Sequence, residues 1–265
     1  MRNPICAINV ENETKITQNR LLRIAVEHYY SRKPETISAP QMIKYAVDGR
    51  ELKFITDRSV FSKGCVDFGS DLLIKAAISE GFSGNVLDLG CGYGVIGLSL
   101  YMHNPNIRLV MIDINERAVE LCKRNVELNV SVNCGGNTNA NSSFTTNITV
   151  VQSDGFSEVA NSMINSPCEM RTEDAPRRHN GFQNTRLFNH IYFNPPVRAG
   201  KDTVFRLYEE CWRRLNNDGH LLVVIQKKQG MNSSFKELLR VFGNCEIIAK
   251  KSGYFVLRSI MAISV

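Results

Sequence analysis

Between Asn85 and Ile225, short apolar runs alternate with stretches of helical periodicity. Val86–Leu89, Leu109–Ile112, Ile148–Val151, Ile191–Phe193 and Leu221–Ile225 have strand length. Val95–Met102, Glu116–Leu128 and Thr203–Leu215 have apolar residues at helical spacing. Strands alternating with helices cannot pair as hairpins. They require crossovers, and so predict a doubly wound, mostly parallel α/β sheet. A further helix, Ser233–Phe242, leads to two closing strands, Glu246–Ala249 and Tyr254–Ile263, for seven strands in all.

The stretch before this rhythm reads differently. Met42–Val47 places Ile43, Tyr45 and Val47 on one face, and Leu52–Ile55 follows a two-residue Asp48-Gly49 turn, predicting an antiparallel hairpin. Asp67–Ile78 has helical spacing. Residues 1–27 form an extension in which Asn19–Glu27 has helical character. Residues 28–265 form one domain, with 28–66 as its hairpin subdomain. Two stretches, 131–146 and 165–185, are too polar to build a core and are expected to be surface insertions.

The composition agrees with one globular unit. The chain has 265 residues, 43% of them hydrophobic and 22% charged. No run approaches the roughly 20 apolar residues of a membrane helix, and the N-terminus lacks signal-peptide character. A cytoplasmic protein with no membrane association is expected. Eight cysteines occur, none in a C-x-x-C pair and none at ligand spacing from a histidine, so no metal is expected. In a reducing compartment they read as small buried hydrophobes. The net charge of +6 permits a polyanionic partner.

Asp88-Leu89-Gly90-Cys91-Gly92-Tyr93-Gly94 follows a strand and opens a helix, the context of a nucleotide-binding turn. Alone, the glycines fit an unliganded turn as well. Asp113, at the end of the next strand, stands where a carboxylate accepts from two ribose hydroxyls. A dinucleotide fingerprint places glycine or alanine where this chain has Val95, whereas G-x-G-x-G with a preceding acid is the pattern of S-adenosylmethionine sites. The second signal, Asn194-Pro195-Pro196, ends the fourth strand and should face the same crevice. The prolines stiffen it. The Asn194 oxygen and the Pro195 carbonyl can each accept one hydrogen of an amino group, aiming the nitrogen lone pair.

These motifs make the chain resemble the class I S-adenosylmethionine-dependent methyltransferases, and more narrowly the RsmC-type rRNA guanine-N2 enzymes of the methyltransferase small domain group. The closest resemblance is to their stand-alone, single-catalytic-domain members. It extends from His28-Tyr29-Tyr30-Ser31-Arg32-Lys33-Pro34 through Val60-Phe61-Ser62-Lys63, Val66–Ser70, the glycine motif, Asp113–Ala118, Gln152-Ser153-Asp154, Asn194–Lys201 and Gln226–Gly230. The resemblance implies a Rossmann-like seven-stranded sheet, S-adenosylmethionine as cofactor and S-adenosylhomocysteine as product. It implies that Phe61, Asp88, Gly90, Gly92, Gly94, Asp113, Ile114, Asp154 and Asn194 bind the cofactor, with Asp154 by the adenine amine. Asn194, Pro195 and Pro196 would be catalytic. Ser62, Val197, Arg198, Lys201, Lys227 and Lys228 would contact substrate, with Lys250-Lys251 adding phosphate contacts. Ribosomal RNA or the small subunit would be the partner; the sequence leaves the oligomeric state open, a monomer being favoured.

The expected reaction is methyl transfer to an exocyclic amine of rRNA, guanine N2 of 16S rRNA in particular. The target base must be unpaired or flipped, because a duplex hides it. Four alternatives stand beside it: a protein-glutamine methyltransferase, an adenine-N6 RNA methyltransferase, a nicotinamide-dependent oxidoreductase and a non-catalytic RNA-binding protein. Val197, not an aromatic residue, follows the two prolines, which counts against the glutamine reading.

Overall fold

The computed structural model describes residues 38–57, 65–133, 147–159, 186–196 and 200–262. The Asn19–Glu27 helix, the 165–185 insertion and most of the 131–146 insertion lie outside these residues. Two strands, β1 (Gln41–Val47) and β2 (Arg50–Thr56), form the antiparallel hairpin. Asp48 and Gly49 both take positive φ, 50° and 73°, the handedness that matches strand twist in a two-residue turn. Alternation works as expected. Ile43, Tyr45 and Val47 of β1, and Leu52 and Phe54 of β2, are buried.

The main sheet has seven strands in the order β5-β4-β3-β6-β7-β9-β8. They are β3 (Asn85–Leu89), β4 (Arg108–Asp113), β5 (Ile148–Gln152), β6 (Phe188–Phe193), β7 (Leu215–Gln226), β8 (Glu246–Lys251) and β9 (Tyr254–Ile260). β3 to β7 are parallel, and β9 runs antiparallel to both β7 and β8. The helices are α1 (Phe68–Glu80), α2 (Val95–His103), α3 (Glu116–Asn133), α4 (Lys201–Arg214) and α5 (Met231–Phe242). α1, α2, α3 and the hairpin share a core with one face of the sheet, while α4 and α5 cover the other. The hairpin's apolar face is thus part of the main core.

Two boundaries differ from the sequence reading by five residues or more. α3 runs on to Asn133, into the stretch read as an insertion. Its Asn125 and Asn129, one turn apart, pair with the open edge of β2. Asn125 accepts from the Ile55 N–H at 2.7 Å and donates to the Ile55 carbonyl at 2.9 Å. Asn129 does the same with Lys53, at 3.1 and 2.8 Å. β7 begins at Leu215 rather than Leu221 because Asn216–Gly219 forms a bulge within the strand. The β6 register jumps from Phe188↔Leu215 to His190↔His220, and Asp218 takes a φ of 56°. The cysteine expectation holds for Cys91, Cys122 and Cys211, which are buried. Cys65 is exposed, because it precedes the helix α1 rather than packing beneath it.

Candidate active site

The order in which strands join the sheet reverses between the parallel neighbours β3 and β6, whose carboxyl ends therefore open a crevice. Leu89 and Phe193 are register partners, so Gly90 and Asn194 leave the sheet side by side. The glycine turn is anchored to β4. The Cys91 N–H donates to the Ile112 carbonyl at 2.9 Å, and the Gly92 N–H donates to Asp113 Oδ2 at 2.9 Å. Asp113 Oδ1 accepts from the Asn115 N–H at 2.8 Å. Burial pushes the Asp113 carboxyl above the usual range, against the pull of the Asn115, Gly92 and Ile114 N–H groups. Each oxygen retains lone-pair capacity for further donors.

The three glycines do different work. A Cβ on Gly90 would meet only Phe193, at 3.8 Å, which leaves the space beside the turn open for a ligand. Gly94 is packed instead. Its φ is 91°, and a Cβ would come within 2.8 Å of Cys122 Sγ. Asp88 also lies behind the turn. It is fully buried, Oδ2 accepts from the Gly97 N–H at 2.8 Å, and Oδ1 has no partner. Burial pushes its carboxyl up to about 7, with Asp113 adding to the shift and the Gly97 N–H opposing it. Asp88 and Gly94 thus pack behind the turn and shape it from beneath.

Asn194 is held by α1. Its Nδ2 donates to Ser70 Oγ at 3.0 Å and to Asp67 Oδ1 at 3.4 Å. Asp67 is the N-cap of α1, its Oδ1 also accepting from the Ser70 N–H at 3.0 Å. No described residue donates to the Asn194 oxygen. The Asp67 and Ser70 contacts to Asn194 are not legible in the sequence, where Val66–Ser70 stands out only as a helix start and as part of the resemblance.

Two cavities meet at Asn194, Pro195 and Pro196. A small cleft joins them to Asp67, Ser70, Gly90 and Gly92. A larger cavity of about 480 Å³ extends between α4, α5 and the end of β7, lined also by Lys201, Phe205 and Lys228. Lys227 is exposed outside this cavity, its backbone N–H donating to Gly253. Lys250 and Lys251 hold their ammonium groups over the rings of Phe255 (5.8 Å) and Phe68 (5.5 Å). Ile114 follows β4, its carbonyl accepting from Gln152. Asp154 follows β5 and is ion-paired with Arg206 of α4 at 2.7 Å. The site residues Phe61, Ser62, Val197 and Arg198 lie outside the described residues.

The family model for the methyltransferase small domain matches residues 51–167 and 160–258. The chain belongs to the methyltransferase small domain family. It is a class I S-adenosylmethionine-dependent methyltransferase. This methyltransferase small domain protein is 36% identical over 233 residues to the uncharacterized protein YbxB of Bacillus subtilis (strain 168), covering 88% of this chain and 98% of YbxB. Among solved structures it is similar to the T. thermophilus 16S rRNA N2 G1207 methyltransferase RsmC, in complex with AdoMet and guanosine. The TM-score is 0.61 at 23% identity, over 86% of this chain and 52% of that one, so this chain spans about half of RsmC. The ribosomal protein L11 methylase of Lactobacillus delbrueckii subsp. bulgaricus shares the fold at a TM-score of 0.51, with 14% identity over 77% of this chain and 82% of that one. No described helix is long and apolar enough to cross a membrane.

The turn fits such a cofactor on its own geometry. The space at Gly90 is open, a carboxylate with spare acceptor capacity sits at the end of β4, and Asn194, whose amide oxygen has no donor among the described residues, lines the same cleft.

Proposed function

We propose that this chain methylates an exocyclic amine of ribosomal RNA, guanine N2 of 16S rRNA in particular. The observation that carries the reading is the orientation of Asn194. Its NH2 is committed to Ser70 and Asp67, so its oxygen is the side-chain atom left to accept, in a residue that lines both the cleft and the larger cavity. The RsmC likeness supports the RNA class of substrate, and the lysines at 201, 228, 250 and 251 supply charge for phosphates.

S-adenosylmethionine, when bound, supplies an electrophilic methyl group and departs as S-adenosylhomocysteine. In this reading Gly90 and Gly92 line its methionine part, Asp113 accepts from its ribose hydroxyls and Asp154 lies by its adenine. The Asn194 oxygen and the Pro195 carbonyl each accept one hydrogen of the target amine. That draws the nitrogen lone pair out of ring conjugation and disperses the positive charge that builds on nitrogen. Held in this way, the amine would be aimed at the methyl group that the cofactor supplies, and its surplus proton would leave to water. Positioning does the catalysis, so no basic side chain is required.

Single-turnover methylation of small ribosomal subunits from cells lacking this protein tests the reading. Asn194→Ala should lose on the order of 10²–10³ in rate, by analogy with oxyanion-hole donors, with cofactor affinity nearly unchanged. Wild-type rates in that variant would remove Asn194 from the reaction.

A further inference from the structure

α4 starts directly after the Asn194–Gly200 segment. Its residues 201, 204, 205 and 208 fall on one helical face. Tyr208 is fully buried and fixed on two sides. Its hydroxyl is within 3.1 Å of Ser234 Oγ on α5, and its ring stands edge-on to Phe193 at 6.2 Å and 83°. Phe193 is the residue before Asn194. Phe205, one turn nearer the helix start, lies against Tyr208 with centroids 6.1 Å apart and planes at 29°. Phe205 is half-buried and lines the larger cavity together with Asn194 and Pro195. Tyr254, the other aromatic residue lining it, is turned against Phe68 at 5.8 Å.

A ring held from behind and open in front is a platform for another flat ring. The run Asn194-Pro195-Pro196-Val197 itself offers no aromatic face. The cavity's volume of about 480 Å³ falls within the range of small-molecule sites, roughly 300–1,000 Å³. Two cations, Lys201 and Lys228, line it as well. Lys201 occupies the first position of α4, where the helix dipole disfavours a cation and an anionic ligand would offset it. A flat face, an amine-accepting oxygen and paired cations together match a nucleotide. A glutamine side chain uses only the second.

We infer that Phe205 is the stacking face for the target base, and that the larger cavity receives a whole nucleotide with its phosphates toward Lys201 and Lys228. This rests on the reading of Asn194 as the amine acceptor. It goes beyond that reading by assigning the substrate class to a side chain on α4.

The test uses the full chain and 2-aminopurine riboside 5′-monophosphate, whose fluorescence is quenched by stacking. Wild type and Phe205→Tyr should quench it. Phe205→Leu, which keeps apolar volume without a π face, should not. On small ribosomal subunits Phe205→Leu should lose about 10- to 100-fold in kcat/KM, the scale of one base–aromatic stack, and Phe205→Tyr should restore it. Affinity for S-adenosylmethionine should stay within about twofold, because Phe205 does not line the glycine cleft. Equal quenching by Phe205→Leu, or no quenching by wild type, overturns the inference. Quenching that follows the ring while wild type leaves every RNA unmethylated overturns the RNA reaction and supports Phe205 as a base platform.

Discussion

Replacing Asn194 by Asp changes one atom and tests how the amide is oriented. On acceptor capacity alone, Asn194→Asp should retain more activity than Asn194→Ala. The structure changes that expectation. The Nδ2 that Asp would replace with oxygen lies 3.4 Å from Asp67 Oδ1. Two ionised carboxylates at that separation repel by about 5 kcal/mol at an effective dielectric of 20. Partial exposure reduces this to roughly 2 kcal/mol. Ser70 can rotate its hydroxyl to donate, but the Asp67 contact becomes repulsive. The introduced carboxyl is therefore held above the ordinary carboxylate range. Protonated, it donates to Asp67 and presents its carbonyl as the amide did. Ionised, it is pushed off that position. Turnover of the variant should thus fall as pH rises from about 5.5 to 8, by roughly 30-fold for 2 kcal/mol, relative to wild type over the same range. The assay is single-turnover methylation of small subunits at fixed ionic strength. A variant whose pH profile parallels wild type would show that Asp67 does not govern this side chain.

Other expectations follow from buried groups. His190 is pushed down to about 4, chiefly by burial and then by His220; its stabilising contribution is complete above about pH 6.5 and lost as pH falls toward 4. Urea unfolding of wild type against His190→Gln at pH 7 and 5 should show a difference on the order of 2 kcal/mol in the pH response, discounted for partial exposure. Asp88 works in the opposite sense: with its folded carboxyl near 7, it disfavours folding as pH rises from about 4 through 7, so Asp88→Asn should gain stability relative to wild type at pH 8 but not at pH 4.5. Asn125→Ala should cost about 2–3 kcal/mol in the same assay, because it strips partners from Ile55 and from the Tyr93 carbonyl; a loss below about 0.5 kcal/mol would mean that water replaces them. Reversing Lys227, Lys228, Lys250 and Lys251 to Glu should raise KM for RNA and flatten its dependence on salt, and an unchanged salt slope would place the RNA elsewhere.

What could be read in the sequence was what local chemistry dictates. The hairpin was legible because Asp48-Gly49 and strict alternation act over neighbouring residues. So were the alternating elements of the sheet and the junctions at Gly90 and Asn194. Properties that depend on distant pairing were not. The shared crevice of Gly90 and Asn194 was expected from the strand ends, but nothing in the sequence announces that Ser70 will turn the Asn194 amide. The helical pattern ends at Leu128, yet the bonds of Asn129 to Lys53, 76 positions away, help the helix continue. Asn216–Gly219 has turn composition but is absorbed as a bulge because β6 and the residues after β9 flank it. The Asp218 N–H donates to Met261 and the Met261 N–H to Gly219. The ion pair of Asp154 with Arg206 of α4, 52 positions away, was likewise not legible.

The side-chain ladder on β2 has a kinetic consequence. An open strand edge invites pairing with another chain, and here two asparagines of α3 occupy part of it. Asn125 also donates to the Tyr93 carbonyl inside the glycine turn, at 2.9 Å. Hairpin, α3 and turn are therefore joined by one residue and should open as a single unit in hydrogen exchange. The amides of Lys53 and Ile55 should exchange at the rate of α3's interior rather than at the faster rate of an isolated two-stranded ribbon. Cofactor bound at the turn should then slow exchange in a hairpin whose strands do not line the cleft.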